Sequence, residues 1–68
     1  MKKKLIINGE NAFVLSETLS KVLNEINIIK SHNMAVAVNE EVVEKINWEN
    51  YKIKSGDIIE IVQPLKGG

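Results

Sequence analysis

The sequence contains no cysteine and no arginine, and it has one histidine, one proline and three aromatic residues. Without cysteine, disulfides, thiolate metal sites and a thiol nucleophile are excluded. His32 has no acidic or cysteine cluster near it in the sequence, so we expect a loop residue rather than a ligand. Because no nucleophile–base set, glycine-rich phosphate loop or paired-carboxylate motif is present, we expect neither catalytic residues nor a metal site.

Positive charge is carried by lysine alone, and nine lysines balance nine carboxylates. A neutral chain without guanidinium groups is poorly equipped to bind nucleic acid. Lysines 2–4 resemble the start of a signal peptide, but the apolar run that follows, Leu5–Ile7, is too short to continue one. No segment approaches the length that spans a bilayer. We therefore expect a cytoplasmic protein with neither nucleic-acid nor membrane partners.

The length of 68 residues limits the chain to one small domain. The hydrophobic fraction is 44% and includes ten isoleucines, which suits a compact aliphatic core. Once that core is filled, little room remains for a substrate cavity, so an enzyme is disfavoured.

The first half of the chain predicts a β-hairpin followed by a helix. Asn8-Gly9 separates strands at Leu5–Ile7 and 12–15, and both turn residues tolerate positive φ. Ser16 or Thr18 can cap the helix that follows. Its apolar stripe, spaced at i, i+3, i+4 and i+7, consists of Leu19, Val22, Leu23 and Ile26.

The second half predicts three strands, at 34–38, 41–43 and Ile58–Val62. Asn39-Glu40 joins the first two, and a longer or bulged turn is an open alternative because glutamate resists positive φ. Between residues 44 and 54 we expect irregular chain with a helical turn at 48–50. Trp48 is expected to cover one end of the core, with ligand stacking as the alternative.

These elements assemble into an α+β fold of β-grasp architecture, with a mixed five-stranded sheet packed on one helix. The last strand is the most apolar, so it belongs at the sheet centre, parallel to the first strand. Alternation turns Leu5, Ile7, Ile59 and Ile61 toward the helix. It places Ile6, Ile58 and Val62 on the open face beside Glu60, as a candidate partner surface; the alternative is that the stems of neighbouring lysines partly cover this patch. We expect a domain at 1–64 and a flexible tail at 65–68.

Several segments together resemble the bacterial sulfur carriers of thiamine biosynthesis, the ThiS family of ubiquitin-like β-grasp proteins. They are "INGEN", "TLSKVLNEI", "VAVNEEVV", "WENYKIKSGDIIEIVQ" and the final Gly67-Gly68. The similarity covers nearly the whole chain. Three departures are Glu40 in place of glycine, Glu44-Lys45 in place of proline and a basic residue, and a bulkier stretch at 64–66.

The resemblance implies a carrier with no permanently bound cofactor. A ThiF-like adenylyltransferase would use ATP to adenylate the carboxylate of Gly68, and a sulfur donor protein would convert it to a thiocarboxylate. The thiazole synthase ThiG would receive the sulfur. Gly67 is the partner glycine of the motif, and Leu65 and Lys66 join the expected partner contacts.

Four alternatives stay open from the sequence. They are the small subunit of molybdopterin synthase, a sulfur carrier for another pathway, a ubiquitin-like modifier joined to lysines through Gly68, and a binding module whose glycines are incidental.

Overall fold

The computed structural model describes residues 2–28 and 34–62. The elements in chain order are β1 (Lys3–Ile7), β2 (Glu10–Val14), α1 (Leu19–Glu25), β3 (Ala35–Val38), β4 (Glu41–Val43), a 3-10 helix (Lys45–Asn47) and β5 (Ile58–Val62). The predictions for His32 and for the tail at 65–68 lie outside the described residues.

The strands form one five-stranded sheet in the order β2-β1-β5-β3-β4. β5 is central and runs parallel to β1, whereas its pairing with β3 and both hairpin pairings are antiparallel. The predicted mixed sheet with parallel central strands and one main helix is therefore confirmed.

Both hairpins have two-residue turns with the same backbone geometry. Asn8 and Gly9 have φ values of 51° and 83°, and Asn39 and Glu40 have φ values of 52° and 73°. Such turns match the twist of the flanking strands. The alternative of a longer or bulged turn at Asn39-Glu40 is wrong, because the pairing of Val38 with Glu41 closes the turn directly. Glu40 accepts the left-handed conformation that we expected it to resist.

The helix begins at Leu19 with Thr18 as its cap, and the Thr18 hydroxyl accepts from the Lys21 N–H at 3.4 Å. The N–H groups of Leu19 and Ser20 donate to main-chain carbonyls in the 48–51 segment, at 2.8 and 3.0 Å. The free donors of the first helical turn are thereby satisfied across the fold. At the other end, Asn27 has a φ of 62° and closes the helix.

The core lies between the helix and the sheet. Its fully buried side chains include Leu5, Leu19, Leu23 and Ile59. Trp48 is 2% exposed and its indole N–H donates to the Val43 carbonyl at 2.8 Å. The tryptophan covers the core as predicted, and the ligand-stacking alternative is wrong because the ring is buried.

Several predicted boundaries move. β1 begins at Lys3 rather than at Leu5. β2 spans Glu10–Val14 rather than 12–15, because the tight turn brings Glu10 opposite Ile7. β3 begins at residue 35. The helical turn expected at 48–50 continues a 3-10 helix that already begins at Lys45.

No helix in the described part of the chain is long and apolar enough to cross a membrane. Within residues 2–28 and 34–62, no group of three or more His, Cys, Asp or Glu side chains could hold a metal ion.

Candidate functional site

The predicted site residues fall into two groups. Leu65, Lys66, Gly67 and Gly68 lie outside the described residues, so their roles remain predictions. Ile6, Ile58 and Val62 are described, and they share the sheet face that points away from the helix.

The open face carries an apolar patch at its centre. Ile6 pairs with Ile58 across the parallel ladder. Ile58 is 46% and Val62 is 63% exposed, while their neighbour Ile59 is fully buried toward the helix. The assignment of strand faces is therefore confirmed. That partners bind these residues remains a prediction.

Two further apolar side chains belong to this face and escaped the sequence analysis. Phe13 is 60% exposed and lies opposite Lys4 on β2, and Val42 is 73% exposed and lies opposite Ala37 on β4. Alternation alone cannot find them, because the faces of β2 and β4 depend on the register of each strand with its neighbour. With them, exposed apolar side chains lie on both edge strands of this face as well as at its centre, and the Lys2 ammonium lies 6.0 Å from the centre of the Phe13 ring.

On its β1 side, β5 makes a hydrogen bond beyond the point where its backbone pairing with β1 ends. The N–H of Asn8 donates to the Ile59 carbonyl at 2.9 Å. The chain then turns away at Gly9, and the side-chain carbonyl of Asn8 accepts from the Ile61 N–H at 2.8 Å. Because this side chain replaces a backbone acceptor, β5 stays hydrogen-bonded up to the residue before Val62.

The start of β5 is held by Asn39 in the same manner. Its N–H donates to the Ile58 carbonyl at 2.7 Å, and its side-chain carbonyl accepts from the Ile58 N–H at 3.0 Å. Its amide group also donates to Asp57 at 3.0 Å. Asp57 is buried, and its second oxygen accepts from the Lys54 N–H at 2.8 Å. These bonds anchor the turn that leads into β5.

A carboxylate joins the end of α1 to the end of β2. Glu25 accepts from the Leu15 and Ser16 N–H groups at 3.0–3.1 Å and from the Ser16 hydroxyl at 2.6 Å. The Ser16 hydroxyl, followed by the Leu15 N–H, lowers the pKa of Glu25 below its ordinary value. Ser16, which the sequence offered as a helix cap, therefore binds the far end of the helix instead.

A surface depression of about 490 Å³ lies between β4 and the 47–51 segment. Its lining includes Glu41, Glu44 and Tyr51 but neither histidine nor serine. The described residues around it offer no nucleophile next to a base. The described central strand, β5, ends at Val62 beside the apolar patch of the open face.

One helix packed on a mixed five-stranded sheet, with the parallel pair β1 and β5 inside the sheet, defines the ubiquitin-like β-grasp fold. The structure resembles the crystal structure of the thiamine biosynthesis protein ThiS from Geobacter metallireducens with a TM-score of 0.79. The two share 24% identity over 96% of this chain and 99% of that one. The solution structure of a thiamine biosynthesis protein from Geobacter metallireducens gives a TM-score of 0.75, again at 24% identity, over 96% of this chain and 87% of that one. At this level of identity the likeness shows the fold.

The family is established by the sequence match. Residues 5–68 match the model of the ThiS family, and the chain belongs to that family. A curated relative, the thiazole synthase of Paramagnetospirillum magneticum (strain ATCC 700264 / AMB-1), is 38% identical over 66 residues. The match covers 96% of this chain but 20% of the relative, so the chain spans about a fifth of that protein's length.

Proposed function

We propose that this protein is a sulfur carrier of thiamine biosynthesis and that the carboxylate of Gly68 is its loading point. The observation that carries the proposal is the match to the ThiS family, which extends through Gly67 and Gly68. The proposal requires Gly68 to be the terminal residue of the working protein, since only a free α-carboxylate can be loaded.

The chemistry explains why a carrier needs an activating partner. A carboxylate is a poor electrophile, so one of its oxygens first attacks the α-phosphorus of ATP and pyrophosphate leaves. The sulfur of a donor protein then attacks the carbonyl carbon of the acyl-adenylate and AMP leaves. The attacking sulfur is the terminal sulfur of a donor persulfide, so the product is an acyl disulfide; a thiol then attacks the donor-side sulfur, a disulfide forms, and the thiocarboxylate, a soft nucleophile, leaves. Two glycines without side chains let this end enter a narrow partner site at any φ.

The described body suits such a carrier. Its central strand is hydrogen-bonded along both sides, and its open face offers Ile6, Ile58 and Val62 to a partner. We place a ThiF-like adenylyltransferase on this face. The protein itself would be a cytoplasmic non-enzyme without a bound cofactor, because the partner supplies the ATP chemistry.

We further propose a thiazole synthase of the ThiG type as the recipient of the sulfur. The supporting observation is the segment of the Paramagnetospirillum thiazole synthase that is similar to this chain. A carrier-like segment within a protein of that name is consistent with the two acting on the same sulfur.

The test is an intact-mass measurement after incubation with ATP, a ThiF-like adenylyltransferase and a sulfur donor. We expect a mass gain equal to the exchange of one oxygen for sulfur. Two controls are matched to the loading point: a variant that lacks Gly68, and a variant with one alanine added after it. Both should fold normally and gain no mass. An unchanged mass of the parent protein, with an enzyme that activates another carrier, would refute the proposal.

A further inference from the structure

Asn8 and Asn39 perform the same structural task at opposite ends of β5. Each is the first residue of a two-residue turn at positive φ, and each gives its side-chain carbonyl to a β5 N–H where the backbone ladder stops. Asn39 acts at Ile58, the first residue of the strand. Asn8 acts at Ile61, next to Val62 and the residues that follow it.

We infer that Asn8 is a positioning residue for the activation of Gly68. Its bond to Ile61 fixes the place and direction in which β5 ends, and so sets how the carboxyl-terminal residues are presented to the adenylating enzyme. The inference rests on the proposed carrier function and adds to it a residue far from Gly68 in the sequence.

The pairing pattern shows why Asn8 matters at this point. The backbone pairs between β1 and β5 are Ile6 with Ile58 and Ile7 with Ile59, and they stop there. On the other side, β3 continues to pair through Val62. Without the Asn8 carbonyl, the Ile61 N–H on the β1 side of β5 would lose its acceptor, and β1 would hold the strand only as far as Ile59.

Loss of the hydrogen bond between Asn8 and Ile61 would affect the placement of the end of β5 more than the stability of the fold. The Ile61 side chain is 8% exposed and would still anchor the strand in the core. The Ile61 N–H would then donate to water, and the end of β5 would be free to rotate about its remaining pairing with β3. Reactions in a partner's site are sensitive to such shifts, because a misplacement of about 1 Å can cost about a hundredfold in rate.

Three variants separate positioning from stability. Asn8→Gly suits the positive φ of the turn but removes the acceptor. Asn8→Asp keeps an acceptor oxygen at the same place. Asn39→Gly is the control at the end of β5 that lies away from Val62: it removes the equivalent acceptor and, in addition, the amide donor to Asp57.

Two measurements are needed on the full chain. Pyrophosphate exchange into ATP, catalysed by the ThiF-like enzyme at increasing carrier concentration, gives kcat and KM. Amide hydrogen exchange gives the protection of the Ile61 and Ile58 N–H groups. For Asn8→Gly we expect kcat to fall about tenfold with little change in KM, because the docking face is intact. Protection of Ile61 should be lost in the same variant.

The controls should behave differently. Asn8→Asp should retain most of kcat and most of the Ile61 protection. Asn39→Gly should lose protection at Ile58 while kcat stays within about twofold of the parent protein.

Several results would overturn the inference. An unchanged kcat in Asn8→Gly despite lost Ile61 protection would show that the bond does not guide activation. Retained protection would show that the bond does not hold Ile61, and an equal loss of kcat in Asn39→Gly would point to general destabilisation. If the parent protein supports no exchange with an active enzyme, the carrier proposal itself fails and the role in activation fails with it.

Discussion

Replacing Glu40 with glycine should stabilise this protein, because Glu40 occupies a conformation that glycine adopts freely. Its φ is 73°, close to the 83° of Gly9 at the equivalent position of the first hairpin. A side chain in the left-handed region costs about 1–2 kcal/mol. Relief of this strain is partly offset, by about 0.4–1 kcal/mol, because glycine also increases the conformational entropy of the unfolded chain. The net gain expected for Glu40→Gly is therefore about 0.5–1 kcal/mol.

Thermal and urea unfolding followed by circular dichroism measure this gain. In a domain of this size, about 1 kcal/mol shifts Tm by about 4–8 °C, so we expect a rise of about 3–6 °C. The urea midpoint should rise with an unchanged slope, because the exposed Glu40 side chain adds little to the surface buried on folding.

Two further variants separate backbone strain from charge. Glu40→Ala removes the charge but keeps a Cβ atom, so its Tm should stay near that of the parent protein. Gly9→Ala is the reciprocal change: an added Cβ meets no atom within 4 Å, so its cost reports conformation alone. We expect about 1 kcal/mol of destabilisation there. If Glu40→Ala stabilises as much as Glu40→Gly, relief of charge repulsion explains the gain and the argument from φ is refuted.

Two more predictions concern the open face and the carboxylate that joins α1 to β2. Ile58→Asp should weaken binding to the adenylating enzyme at least thirtyfold, about 2 kcal/mol, while costing only about 1–2 kcal/mol of stability, since Ile58 is already 46% exposed. The control is Ile46→Asp, at an isoleucine that is 82% exposed and lies outside the sheet; it should change neither binding nor stability. Unfolding of the Ile58→Asp variant would contradict the assignment of Ile58 to the open face. The pKa of Glu25 is lowered in the folded state, so its carboxylate stabilises the fold above about pH 4.3 and loses this effect as the pH falls through the folded-state pKa. Glu25→Gln should therefore lower Tm at pH 7, with the difference shrinking as the pH falls below the ordinary glutamate pKa of about 4.3; a pH-independent difference would contradict the assignment.

The local patterns of the sequence predicted most of the fold. The Asn8-Gly9 turn, the apolar stripe of α1 and the strand at Ile58–Val62 are all confirmed. Each depends on residues close together in the chain, through turn chemistry, the 3.6-residue period or alternation. The core face of β5 followed in the same way, because one buried isoleucine fixes the direction of its neighbours.

The candidate site was predicted in part. The exposure of Ile58 and Val62 follows from alternation on one strand, and the family follows from motifs along the chain. Phe13 and Val42 could not be assigned to the same face, because their strands are short and their register is set by partners. The left-handed Glu40 was missed because residue preference argued against it, while the pairing of β3 with β4 required it.

The sequence by itself determined the elements of this protein, their apolar faces and the family to which it belongs. The tertiary structure decided which polar side chains complete the backbone ladders: Asn8 and Ile61 are 53 residues apart, and Asn39 and Ile58 are 19 apart. An asparagine in a turn has the same local pattern whether or not its carbonyl finds a distant N–H. Only the assembled sheet brings donor and acceptor within 3 Å, and so only the fold shows how the central strand is held to its end.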